Sequence, residues 1–373
     1  MRRLKGHPRY LLILTAGALF TVLFFATVTH EGQPLRLPVG VVDLDNSYLS
    51  RRLCHELDAS PGVKVHAVYN NHGEARKAMQ RGDIFAFYEI PKGTYNKVLQ
   101  FHGPKFVLYV NSAYILAGTL SYKQLATMGM LATGAVQREV LRKKGYEEEH
   151  ILGLIQPVTY DTHNIANPWI NYGVYLMTTL IPAIIAFLAL LHVAYSVATE
   201  RQERTTRRWL RKAGGSTFYA LIGKMIPYTL WYTLLCVSAN LFMFAFLDFP
   251  IYGSWLLMAL NSFLLIFAMQ CAGLFIAASL PDPPLTMGVS TIYSAMSFSL
   301  SGFSFPVEHM PPFFHSFSLL YPIRHYFLNY SSIAMGGNGF ADCWPHFAML
   351  LAFALLPLLG APLLQKNHLI VSE

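Results

Sequence analysis

TERQERTTRRWLRKAGGSTFYALIGKMIP, residues 199–227, is the stretch whose reading decides the fold. Before it, Asn164 to Thr199 runs without one Asp, Glu, Lys or Arg. After it the chain is apolar again to Leu247, with Lys224 the one charge beyond Lys212. Between those runs, Arg201, Arg204, Arg207, Arg208, Arg211 and Lys212 stand with Glu200 and Glu203 in 13 positions. A short, strongly basic connection between two membrane-spanning runs stays on the cytoplasmic side, because Lys and Arg resist translocation. That sets the orientation expected of every other segment, and it offers a cytoplasmic partner something compact to hold.

Composition agrees with a membrane chain. Of 373 residues, 54% are hydrophobic and only 13% charged, against about 25% charged in a soluble domain. The formal net charge is +8, but 15 of the 28 basic residues lie in one polar segment, interleaved with acids. Others cluster at expected membrane edges, where cytoplasmic loops and anionic lipid account for them. This distribution argues against a nucleic-acid partner and for contact with membrane lipid. Cys54, Cys236, Cys271 and Cys343 are far apart and form no CxxC pair. They indicate neither a disulfide framework nor a zinc site.

Met1–Arg9 carries Arg2, Arg3, Lys5 and Arg9, and Tyr10–Thr29 then runs for 20 residues without a formal charge. That length crosses a hydrocarbon core of about 30 Å. A signal peptide also starts basic and turns apolar, but the run is long and no small-x-small site precedes His30. An uncleaved first span over residues 1–29 is expected. Residues 30–168 form the polar segment and alternate strand and helix signals. Strands are expected at Leu37–Val42, Val63–Tyr69, Ile84–Ile90 and Phe106–Val110, with a returning strand at Val158–Thr162. Helices are expected from a Ser47 cap to Leu57, over His72–Arg81, and through most of Ser112–Lys144. Such alternation builds a small sheet flanked by helices, here outside the membrane.

Five further apolar runs follow: Pro168–Ala198, Ser216–Leu247, Trp255–Leu280, Leu285–Phe303 and Trp344–Leu364. The expected fold class is therefore membrane α-helical, with six transmembrane helices and an α/β extracytoplasmic domain inserted between helices 1 and 2. Residues 169–373 supply the other five helices, joined by a cytoplasmic connection at 199–215. Both termini lie inside, next to the basic start and Lys366. The segment 304–342 is too short and too broken by Phe305-Pro306 and Met310-Pro311-Pro312 for a crossing pair. It reads as an outer loop or a re-entrant hairpin packed on protein.

The motifs narrow the chemistry. No GxxxxGK[ST] occurs, so nothing here cradles nucleotide phosphates, and no cofactor is expected in this chain. Glu200, Glu203 and Arg204 sit at helical spacing past a long apolar run, so that span is expected to continue into the cytosol. Lys224 is expected to snorkel towards the interface. Ser290, Ser294, Ser297, Ser299 and Ser301 make the fifth span polar, which close helix packing and a polar path lining explain equally well. Asp43, Asp45 and Asn46 read as a capping turn rather than a cation site. His309, His315 and His325 have spacings of 6 and 10, with Glu308 the one close acid and Pro311-Pro312 between them, a poor metal pattern. No G-x-S-x-G elbow points to a hydrolase.

Four stretches together resemble the permease subunits of type-2 ABC exporters, in the branch with a large ectodomain after the first span. They are LPVGVVDLDNSYLSRRLCHELDASPGVKV (37–65), EARKAMQRGDIFAFYEIPKGTYNKVL (74–99), ATERQERTTRRWLRKAGGSTFYALIGKMIPY (198–228) and SGFSFPVEHMPPFFHSFSLLYPIRHY (301–326). They occur in the family's order over most of the chain. The resemblance implies a multi-pass protein of the bacterial inner membrane, paired with a second copy or a similar permease. It implies a separate ABC ATPase subunit touching Glu200, Glu203, Arg204, Thr205, Thr206 and Trp209, with an envelope-spanning periplasmic adaptor a further candidate partner. Ser290, Ser294, Ser297 and Ser301 are the candidates for a path lining, and Gly302, Phe305, Pro306, Met310 and Pro311 for the outer re-entrant segment. Two features depart from the family. Thr205 stands where glycine is usual, and only nine residues precede Tyr10, so the usual inner-surface helix is expected to be missing or very short. The alternatives are an ATPase-independent membrane protein, such as a secretion accessory or receptor, and a membrane enzyme with its site on the outer face.

Overall fold

The computed structural model describes residues 8–99, 105–156, 163–164, 166–280 and 282–368. The chain divides into two compact units, one of residues 33–162 and one of the residues up to 32 together with those from 163 onward. The strand expected at Val158–Thr162 lies outside the described residues, as does the start of the basic N-terminus.

The first unit is α/β. β1 (Leu37–Asp43) pairs in parallel with β2 (Val63–Tyr69) and with β3 (Ala86–Ile90), and β3 pairs antiparallel with β4 (Val107–Val110). The sheet order is β2-β1-β3-β4. A central strand of a covered sheet is apolar throughout rather than alternating, and β1 is buried at nearly every position. Its side chains divide the core. Val39 and Val41 pack with Leu53, Leu57 and Leu125 from α2 (Tyr48–Ala59) and α5 (Ile115–Lys143), while Val42 packs with Ala75 and Ala78 from α3 (His72–Arg81).

The caps follow local chemistry. Ser47 and Ser50 form a reciprocal capping box at the start of α2. Asn71 caps α3 through the Glu74 N–H, and Gly82 closes it with φ 82. The Asp43 carboxylate accepts the N–H groups of Asp45 at 3.0 Å and Asn46 at 2.9 Å, and Asp45 accepts that of Tyr95 at 3.0 Å. Those carboxylates therefore serve the turn. Two short helices, α4 (Thr94–Leu99) and α6 (Glu148–Ile155), were not marked in the sequence.

The second unit is helical. Its elements are α1 (Pro8–Val28), α7 (Tyr172–Gln202), α8 (Thr206–Lys212), α9 (Thr217–Leu241), α10 (Trp255–Ser279), α11 (Pro283–Ser299), α12 (Pro312–Ser318), α13 (Pro322–Tyr330), α14 (Phe340–Ala352) and α15 (Leu355–His368). Among the described residues, four helical stretches are long and apolar enough to cross a membrane: 172–202, 217–246, 255–279 and 340–364. α10 is central and buries most of its residues between Met258 and Ala278. A Cβ on Gly273 would lie 2.8 Å from the Leu190 carbonyl oxygen, so glycine is what lets α10 approach α7 this closely.

Three of the expected runs differ from the helices found. The run Leu285–Phe303 folds as α11, 17 residues from Pro283, about 25 Å at 1.5 Å per residue. It stops before Gly302, whose φ is 91. The run Trp344–Leu364 is two helices joined by a turn at Phe353-Ala354. Pro357 explains the break, because its ring removes the helical bond to the Phe353 carbonyl and crowds that group. Finally, α7 starts at Tyr172 rather than Pro168, where the Asn171 side chain accepts the Gly173 N–H at 2.7 Å.

Candidate functional site

The basic connection is built from the end of α7 outward. α7 does continue past its apolar run, carrying Glu200 within the helix and ending at Gln202 with Glu203 as its C-cap. The chain then turns at Arg204, which adopts the left-handed φ of 56. Thr205 follows at φ −100, a conformation any residue adopts, so the glycine usual in the family has no backbone role to fill at 205. Threonine contributes a side chain instead. Its N–H donates to the Glu200 carbonyl at 2.8 Å, and its hydroxyl donates to the Glu200 carboxylate. α8 then runs to Lys212, and Gly214 and Gly215 turn the chain into α9 with φ of 69 and 82.

The six residues nominated for ATPase contact fall into two groups. Glu200, Thr205, Thr206 and Trp209 turn inward. The Glu200 carboxylate accepts a charge-assisted bond from Lys224 Nζ at 2.8 Å, with side chains only 13% and 16% exposed. The same ammonium lies 4.5 Å from the centroid of the Trp209 ring, within cation–π range. Thr206 and Leu210 are buried, and Trp209 is partly buried against the core cluster that contains Leu221 and Met225. Glu203 and Arg204, with Arg207, Arg208, Arg211 and Lys212, are exposed. Lys224, expected to snorkel towards the interface, meets the Glu200 carboxylate and the Trp209 indole. Spacing could not have found that pair, since 24 residues separate its members.

The serine stripe faces inward. Ser290, Ser294, Ser297 and Ser301 are all buried within this chain, on one face of α11 and the turn after it. Ser297 accepts the Ile323 N–H at 3.4 Å, and Ser301 donates to the Phe298 carbonyl at 2.7 Å. Gly302, at φ 91, places Val307 Cγ2 2.7 Å from where a Cβ would stand, so only glycine fits the turn. Val307 is buried while Phe305 is exposed. The chain from Phe305 to Tyr330 is a 3-10 turn and two short helices, with breaks at Pro306, Pro311 and Tyr321. No continuous helix passes the prolines. Arg324 is buried and donates to the His315 carbonyl at 2.9 Å and to the Ser318 hydroxyl. His325 donates Nε2–H to the Leu319 carbonyl at 3.0 Å and meets His346 Nδ1 at 3.3 Å through its own Nδ1. His309 and His315 do not join that pair. Among the described residues no three His, Cys, Asp or Glu side chains gather as metal ligands.

Sequence reading missed a polar network inside the helical unit. Asn240 donates to Ser262 at 2.8 Å, Asn261 to the Tyr326 carbonyl at 3.1 Å, and Asn329 to Asn261 at 3.2 Å. Thr229 donates to Gln270, and Tyr232 shares a 2.6 Å hydrogen bond with His192. These ties join α7, α9, α10 and α13. They were hidden because the partners of each bond lie 22 to 68 residues apart in the sequence. A polar side chain at membrane depth is expensive unless partnered, and that was the available signal.

Residues 8–361 of the chain match a protein family described as ABC-2 family transporter protein. Among curated proteins, the inner membrane transport permease YhhJ of Escherichia coli (strain K12) is 24% identical over 358 residues, covering 94% of this chain and 91% of that protein. The protein of the same name from Shigella flexneri matches with the same identity and coverage.

Proposed function

This chain belongs to the ABC-2 family of transporter proteins, and on that premise we propose that it is the permease subunit of an ATP-driven exporter in the bacterial inner membrane. The observation that carries the reading is the family match across nearly the whole chain. A permease of this family generally works with a separate ABC ATPase subunit, and the absence of a P-loop sequence here agrees with that division. α1 and α11 join the four longer apolar stretches as the first and fifth of six spans, short ones being tolerated by local thinning of the bilayer. Both termini and the connection at 199–215 then lie inside. On this reading the α/β unit lies outside, which supports an assignment to the large-ectodomain branch.

Two such chains, identical or similar, enclose the path. The ATPase docks on the exposed side of the connection, with Glu203 and Arg204 as its charged anchors. Its closure moves the connection and switches the path from inward to outward access. The segment 304–342 re-enters from the outside without crossing, its broken helices shielded by protein. Ser290, Ser294, Ser297 and Ser301 reach the path only in a state where α11 parts from the helices packed on its serine face. Affinity purification of the intact chain in mild detergent, with reconstitution of any P-loop ATPase recovered, tests this reading. Nucleotide-independent activity of the purified chain would oppose it.

A further inference from the structure

We propose that Lys224 is a positioning residue: it clasps Glu200 of α7 and Trp209 of α8, so that the cytoplasmic connection and α9 move as one piece. The proposal rests on the reading of this chain as an ATP-driven permease and adds how a stroke delivered to the connection reaches a span.

The geometry of the connection poses the problem. α8 hangs between two turns, each with left-handed residues, Arg204 on one side and Gly214 with Gly215 on the other. Left to those turns, α8 has a hinge at either end, and a push on it dissipates in rotation. Lys224 bypasses both hinges. It is the one charged residue of α9 and the eighth in that helix, about 10 Å from its start. An ammonium at that depth is costly unless it finds an acid or reaches the interface. Here its partner is Glu200, at 2.8 Å, on the helix before the first hinge. Its second contact is the face of Trp209, 4.5 Å away, on the helix between the hinges. One side chain therefore touches all three elements.

Two further contacts tighten the clasp. Thr205 bonds the Glu200 carboxylate as well as its carbonyl, which fixes the carboxylate while Lys224 holds the other oxygen. Thr206 and Leu210 are buried beneath the connection, so α8 is seated rather than free. The partition of the six nominated residues then makes sense. Those facing inward transmit, and those facing outward, Glu203 and Arg204, receive.

The test uses spin labels at Arg208 and Tyr219, both exposed, in the full-length chain with Cys54→Ser. The chain is reconstituted alone and then with its co-purified ATPase. Wild type should give one narrow distance distribution that stays unchanged on addition of ATP, because both labels ride on the same piece. Lys224→Met should broaden it and let it shift on addition of ATP, while the ATPase still co-purifies. Lys224→Arg and the exchange Glu200→Lys with Lys224→Glu should both restore a narrow distribution, since both restore an ion pair. Trp209→Phe should broaden it less than Lys224→Met, a ring being retained. A narrow distance in Lys224→Met that ATP leaves unchanged overturns the proposal. Should that variant fail to fold, an exchange variant that folds but stays broad overturns it instead. If wild type captures no ATPase, the permease reading fails, and the distances of the chain alone still decide whether the clasp exists.

Discussion

Replacing Glu203 and Arg204 together with alanine separates a partner contact from a contribution to the fold. Both side chains are exposed. The backbone bond from the Glu203 N–H to the Thr199 carbonyl at 2.9 Å survives the change. Arg204 already holds a Cβ at φ 56, so alanine there adds no strain. Surface substitutions of this kind change folding stability by about 0.5 kcal/mol or less. Anchors of an interface cost about 2 kcal/mol or more when truncated. Adjacent anchors couple and are not simply additive. The expected loss of ATPase affinity is therefore between about 30-fold and about a thousandfold, at roughly 1.4 kcal/mol per tenfold. The assay is a titration of the chain with its ATPase, read as stimulated hydrolysis, beside the thermal midpoint of the chain alone. A double variant that melts like wild type and stimulates normally would refute the assignment of these two residues.

Other expected outcomes follow from particular places in the fold. A cysteine at exposed Asn96 should react with an impermeant maleimide added outside whole cells, and one at Arg207 should not; the reverse pattern would invert the topology. Cys54 is half-buried near Asp43, and burial first, then that carboxylate, push its thiol up to about 11. At neutral pH it therefore carries on the order of 100-fold less thiolate than an exposed cysteine, and its alkylation rate should keep climbing beyond pH 9 rather than level off there. Gly273→Leu should lower the thermal midpoint by wedging α10 off the Leu190 carbonyl, a cost of about 1–3 kcal/mol or more. Gly223→Ala, with nothing within 4 Å of the new methyl, should not lower it.

How far the sequence could be read depended on the range of the interaction. β2 and α3 were legible to their end residues, because strand alternation and the Asn71 and Gly82 caps are local signals. The long apolar runs located α7, α9 and α10 to within a few residues for the same reason. α4, α6 and α8, of six to eight residues, are too short for a period to emerge. The break between α14 and α15 was written in Pro357, but an apolar run masks it. At the candidate site, the exposed pair Glu203 and Arg204 was legible as charge at helical spacing. The inward turn of Glu200 and Trp209 was not, because Lys224 reaches them only after the chain has folded back on itself. The same holds for Asn261 and Asn329, 68 residues apart and bonded in the core.

The central claim is tested most directly by purifying the chain in mild detergent from its native membrane and measuring what accompanies it. The account predicts a P-loop ATPase in stoichiometric amount, whose hydrolysis is stimulated by the chain and whose recovery is lost with the Glu203 and Arg204 double variant. An intact, well-folded chain that comes away without any P-loop ATPase would contradict it.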